Sequence, residues 1–171
     1  HVSLTGGEPL LQPEAVGAVA AALRGSGPQI LLETHGLHAD ALARVIAHID
    51  IVSMDWKLAS DVRREGVPTS APREAFHDAH ERFLAVARGA PHTVVKLVIT
   101  RASGDAEIAE ALARVARTHP SACVVLQPVT PMGSVTERVP SERVLALARL
   151  AEELVADVRV TPQLHPIMGV R

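Results

Sequence analysis

Five times along this chain, a short run of apolar, largely β-branched residues gives way to a longer segment whose apolar residues recur three or four positions apart. The first pattern suits a strand covered on both faces, and the second suits an amphipathic helix. Val2 and Leu4 alternate within His1 to Thr5. Val16, Val19 and Leu23 follow at helical spacing, with Pro13 in the first turn and Gly25 and Gly27 as the stop. Ile30-Leu31-Leu32 and Ile51 to Lys57 read as the next two strands, separated by a helix face of Leu42, Val45, Ile46 and Ile49. A polar loop with Gly66, Pro68 and Pro72 precedes a helix expected from Glu74 to Ala87. Val94 to Ile99 is the clearest strand. Ile108, Leu112 and Val115 mark a helix expected to be capped near Asp105. Cys123 to Gln127 is a strand, Val144, Leu147, Ala151 and Leu154 mark the last helix, and Val158 to Val160 a final strand. Such alternation predicts parallel strands joined by right-handed helical crossovers.

Five helices and six strands in 171 residues fall short of the ~250 residues of a closed barrel. The expectation is therefore one α/β domain over residues 1–171, a partial (β/α) TIM-like barrel with parallel strands, open on one side. The chain opens at His1, without Met and directly inside an apolar alternation, which suggests a C-terminal portion whose N-terminal strand and loop are missing. Apolar residues make up 47% of the chain and charged ones 21%, which argues against disorder. A net charge of −2 without basic blocks argues against nucleic acid or an anionic membrane as partner. No apolar run reaches the ~18–20 residues of a membrane span. The single cysteine, Cys123, excludes an internal disulfide and favours a reducing, cytoplasmic setting. Within a strand it reads as a buried structural thiol.

Parallel α/β domains gather ligand groups at the C-terminal ends of their strands. Here those exits carry Glu8, Glu33 with Thr34, Asp55 with Lys57, Thr100 with Arg101, and Gln127. Each alone is also an ordinary helix-capping or solvated loop residue. Together, Glu8, Glu33, Asp55 and Lys57 would place three carboxylates and an ammonium around one small polar ligand. In Gly6-Gly7-Glu8-Pro9, two residues without Cβ let the backbone meet a ligand directly, although a tight turn with no ligand explains them equally well.

Thr5-Gly6-Gly7-Glu8-Pro9 resembles the GGEP motif of radical S-adenosylmethionine enzymes. Glu33-Thr34-His35-Gly36 resembles the E/D-T-N-G segment at their next strand end, with His35 in place of the usual Asn. Ser53-Met54-Asp55-Trp56-Lys57-Leu58 resembles their S-x-D-x-K-L strand. Gln127-Pro128-Val129-Thr130-Pro131 and the tail Gln163 to Arg171 extend the similarity to the 7-carboxy-7-deazaguanine synthase family, with Pro166 where a Lys often follows the tail histidine.

The resemblance implies a radical ring contraction of 6-carboxy-5,6,7,8-tetrahydropterin. It further implies that Gly6, Gly7 and Glu8 hold the amino group of S-adenosylmethionine, and that Glu33 meets its amino or ribose groups. Ser53 and Lys57 would hold its carboxylate, Gln127 would lie against the adenosine, and Thr5 would reach the substrate. The family binds a [4Fe–4S] cluster through three cysteines in a loop before the GGEP strand, with a Mg²⁺ ligand beside it. Neither is in this chain, so those groups are expected only in the full-length protein, and the chain alone is expected to be inactive. Implied partners are the pterin and a flavodoxin- or ferredoxin-like electron donor; a homodimer is compatible with this. Two alternatives stand beside this reading: an activating enzyme for a glycyl radical partner, and an inactive S-adenosylmethionine-binding α/β domain. The pairs His77 and His80, and His35 and His38, lack any zinc-site pattern and read as solvated surface histidines.

Overall fold

Parallel strands linked by helical crossovers keep their chain order when every helix lies on the same face, and this sheet does so: β1-β2-β3-β4-β5-β6, parallel throughout. The computed structural model describes residues 1–62, 66, 68, 70–71, 75–131 and 137–162. The elements are β1 (Val2–Leu4), α1 (Pro13–Leu23), β2 (Ile30–Thr34), α2 (Ala39–Val45), β3 (Ile51–Asp55), α3 (His77–Ala87), β4 (His92–Ile99), α4 (Asp105–Thr118), β5 (Cys123–Pro128), α5 (Ser141–Leu154) and β6 (Asp157–Val160). Consecutive helices pack against one another along the row, α1 on α2 through to α4 on α5. This is the wall of a (β/α) barrel left open between β1 and β6.

The strand period of two divides the sheet into two faces. Ile30, Leu32, Val52, Met54, Val95, Leu97, Ile99, Val124 and Leu126 turn toward the helices and are buried with Leu42, Phe83, Leu84, Ile108, Leu112 and Val115. The other face carries Glu33, Ser53, Asp55, Lys96 and Gln127. Among these only Ser53 is fully buried. The ionisable strand residues thus lie on the face that no helix covers, whereas the helix-covered face carries only the buried hydroxyls of Thr34 and Thr93 among its polar side chains.

Three sequence expectations shift in detail. The α4 cap is Gly104, whose backbone is extended and gives no side-chain bond; Asp105 is instead the first helical residue, where its charge suits the helix dipole. Glu74 lies outside the described residues, and α3 begins at His77. β4 is two residues longer than its apolar core, because His92 and Thr93 continue the ladder opposite Ile51 and Val52. The tail from Gln163 onward lies outside the described residues. No helix among the described residues is long and apolar enough to cross a membrane.

Candidate functional site

At the exit of β1, Gly6 and Gly7 take positive φ values of 103° and 56°, a region open to glycine and strained for other residues. The turn delivers Glu8 as the N-cap of a 3₁₀ turn, Pro9–Leu11, where Pro9 needs no donor. The Glu8 carboxylate accepts from the Leu10 amide at 3.0 Å, the Thr34 hydroxyl at 2.8 Å and the His35 amide at 2.9 Å. Its side chain is only 6% exposed, with the His35 ring 3.3 Å away. Glu8 therefore stitches the exit of β1 to that of β2.

Beside this stitch lies a cleft of about 240 Å³. Thr5, Gly7 and Glu33 line one side, with the Thr5 hydroxyl donating to Glu33 at 3.4 Å. Thr34, His35, Asp55, Lys57 and Lys96 complete its lining. The Asp55 carboxylate lies between two ammonium groups, Lys57 at 2.8 Å and Lys96 at 3.1 Å. Burial works against its charge, but the two lysines outweigh that and hold the carboxyl below its usual range.

Six of the residues singled out in the sequence, Thr5, Gly7, Glu33, Thr34, Asp55 and Lys57, come together here. Gly6 and Glu8 line a neighbouring hollow of about 260 Å³ along β1 and α1. Ser53 stands beside Glu33 in the ladder, and Gln127 is on β5, beyond β4. Lys57 is not the lone ammonium that its sequence setting suggests, because Lys96 shares its counter-ion. A lysine inside the most apolar strand, in phase with Val94 and Val98, is the signal for it. Burial lowers His35 below its ordinary imidazole value despite the opposing pull of Glu8.

The expectation of solvated histidines is corrected at His77 and His80, which are 4% and 0% exposed. The Trp56 indole donates to His77 Nδ1 at 3.0 Å. His80 Nε2 accepts from the Lys57 amide at 2.9 Å, and its Nδ1 lies 2.9 Å from the Gly36 carbonyl oxygen. Burial pushes His80 down to about 4. Both continue the stripe of Leu84 and Ala87 at helical spacing, a signal masked by the charged residues between them.

The cleft suits a zwitterion bearing both an ammonium and a carboxylate. The residues present do not fit a [4Fe–4S] cluster, which takes thiolates. The one cysteine, Cys123, is half-buried rather than buried, and burial with Asp157 beside it raises its thiol above the ordinary value. Among the described residues, no three His, Cys, Asp or Glu side chains converge to hold a metal ion.

No family model matches the chain. In fold it resembles a domain of pyruvate-formate lyase-activating enzyme from Bacteroides vulgatus, with a TM-score of 0.66 at 15% identity over 94% of this chain and 98% of that one. A radical SAM methyltransferase from Sphaerobacter thermophilus gives a TM-score of 0.65 at 20% identity, covering 95% of this chain and 50% of that one. In sequence it is 34% identical over 168 residues to the 7-carboxy-7-deazaguanine synthase of Geobacter sulfurreducens, covering 98% of this chain and 62% of that protein. The enzyme of the same name from Methanothermobacter thermautotrophicus is 31% identical over 181 residues, covering 99% of this chain and 70% of that protein. The chain thus spans about three fifths of the first relative and somewhat more of the second. Aligned from end to end at this identity, it belongs to the 7-carboxy-7-deazaguanine synthase family.

Proposed function

We propose that this chain forms the S-adenosylmethionine- and substrate-facing wall of an enzyme that contracts 6-carboxy-5,6,7,8-tetrahydropterin to 7-carboxy-7-deazaguanine. The observation that carries the proposal is the cleft in which Glu33 faces the Lys57–Asp55–Lys96 triad across the strand exits. When bound together, S-adenosylmethionine and a [4Fe–4S] cluster supply the radical that starts the ring contraction.

The chain's own part is binding and orientation. The Lys57 ammonium offers a point charge for the methionine carboxylate, with Ser53 below it in β3. The Gly6-Gly7 backbone, unobstructed by Cβ atoms, takes the amino end. Glu33 accepts from an amino or hydroxyl group, and Gln127 meets the adenine across β4. Thr5, hydrogen-bonded to Glu33, reaches the pterin. Glu8, enclosed by its own bonds, acts chiefly by shaping the turn. On this reading the thiolates of the cluster come from residues other than these, since Cys123 is the one thiol here. The activating-enzyme alternative shares the Gly6-Gly7-Glu8-Pro9 turn, the Asp55-x-Lys57 exit and the barrel wall, and the likeness to a pyruvate-formate lyase-activating enzyme at 15% identity adds only the fold to it.

The test is product formation from the pterin by the full-length protein, with S-adenosylmethionine affinity measured by calorimetry in parallel. Lys57→Ala is expected to weaken that affinity by about 1.5–3 kcal/mol, the worth of a charged hydrogen bond. Glu33→Gln is expected to weaken it less, since neutral partners bond more weakly. No deazaguanine product, or an unchanged affinity in Lys57→Ala, rejects the assignment.

A further inference from the structure

His80 sits on α3 outside the cleft, with its side chain fully buried. Its ring lies between two backbones: Nε2 accepts the Lys57 amide at 2.9 Å, and Nδ1 meets the Gly36 carbonyl oxygen at 2.9 Å. Accepting at one nitrogen leaves the proton on the other, so the ring is neutral and protonated on Nδ1. Burial supports that state. Trp56 and Phe76 fix the ring, with centroid distances of 5.1 and 6.2 Å. Arg114 of α4 holds α3 in place through Asp78 at 2.6 Å and Glu81 at 2.8 Å.

The two clamped backbones belong to different strand exits. Gly36 ends the Glu33-Thr34-His35 segment after β2, and Lys57 follows Asp55 after β3. We propose that His80 is a positioning residue for S-adenosylmethionine: by tying the Lys57 amide to the Gly36 carbonyl, it sets the spacing between Lys57 and the Glu33 side of the cleft. The inference rests on the S-adenosylmethionine reading of that cleft. A histidine that merely filled the core would need neither contact with a strand exit.

Asparagine and glutamine separate the two contacts. The Asn amide nitrogen falls near the Nδ1 position, so His80→Asn keeps donation to Gly36 and loses the acceptor for Lys57. The Gln carbonyl oxygen reaches the Nε2 position, so His80→Gln keeps the Lys57 contact. In the full-length protein, His80→Asn is expected to weaken S-adenosylmethionine binding about tenfold, as for one lost hydrogen bond, and to leave the Lys57 amide open to hydrogen exchange. His80→Gln is expected to recover most of the affinity and of the amide protection, even where both variants melt earlier. Unchanged affinity in His80→Asn, or equal losses in both variants that follow their melting temperatures, overturns the inference. Wild-type protein that binds no S-adenosylmethionine overturns the cleft assignment itself, and the inference with it.

Discussion

Asp55 on β3 and Lys96 on β4 stand opposite each other in the parallel ladder, with carboxylate and ammonium 3.1 Å apart. Because Lys57 holds the same carboxylate, Asp55→Asn leaves two ammonium groups facing each other without a counter-ion. The pair is partly exposed, so the expected destabilisation is about 1–3 kcal/mol, below that of a fully buried pair. Adding Lys96→Met should restore part of the loss. Urea unfolding of both single variants and the double variant checks this; strictly additive effects would show that the groups do not interact.

Glu8 serves three donors at once, so its removal should be felt in stability. Glu8→Ala leaves the Leu10 amide, the Thr34 hydroxyl and the His35 amide without their acceptor. A loss of about 2–3 kcal/mol is expected, in the range for stranding buried donors. Denaturant midpoints compared at constant slope measure it.

Stability should fall on mild acidification. His80 is held down to about 4 by burial, whereas the unfolded chain takes up that proton near 6.5. Between these values the unfolded state binds more protons, so stability rises with pH across the window and is progressively lost as pH falls through it. The full span amounts to about 3 kcal/mol at most. His77, Lys57 and His35 all face His80 and oppose its protonation, while the Gly36 carbonyl favours it. Unfolding free energies at pH 7 and 4.5 should differ less in His80→Gln than in the wild type.

Gly36 confronts a side chain with both strain and crowding. Its φ of +69° disfavours any Cβ, and one built there lies 2.6 Å from Met54 Cε. Gly36→Ala should destabilise by about 2–4 kcal/mol, combining backbone strain with displaced packing. Thermal unfolding is the measurement; a change within experimental error would show that Met54 gives way freely.

Reconstituted anaerobically with iron and sulfide, the 171-residue chain should hold far fewer than the four irons of a [4Fe–4S] cluster, since its only thiol is Cys123. About four irons per chain would show that other ligands suffice.

Much of this molecule was legible beforehand. Runs such as Val94 to Ile99 are unambiguous because both faces of a parallel strand are covered, and helix stripes such as Ile108, Leu112 and Val115 need little else. The exits carrying Glu33 and Lys57 followed from topology alone. His77 and His80 did not, because Asp78, Glu81 and Arg82 give their segment a surface composition while the two rings share the buried stripe. Lys96 escaped notice because it interrupts an apolar run whose partner, Asp55, is far away in sequence. The role of Glu8 was half visible: its place in the turn was, but its three donors come from a strand exit and a turn that only folding brings together.

A sheet that keeps its chain order also turns sequence separation into position along a rim. The strands that carry Glu33 and Gln127, β2 and β5, are three ladder steps apart, roughly 14 Å at ~4.8 Å per step, and Gln127 lies further still, beyond Cys123, the β5 residue in register with Glu33. Substitutions at those two positions should therefore add independently in free energy, whereas Asp55, Lys57 and Lys96, crowded onto neighbouring strands, should be strongly coupled. A mutational survey of this rim would read as a one-dimensional map, with epistasis confined to adjacent strands.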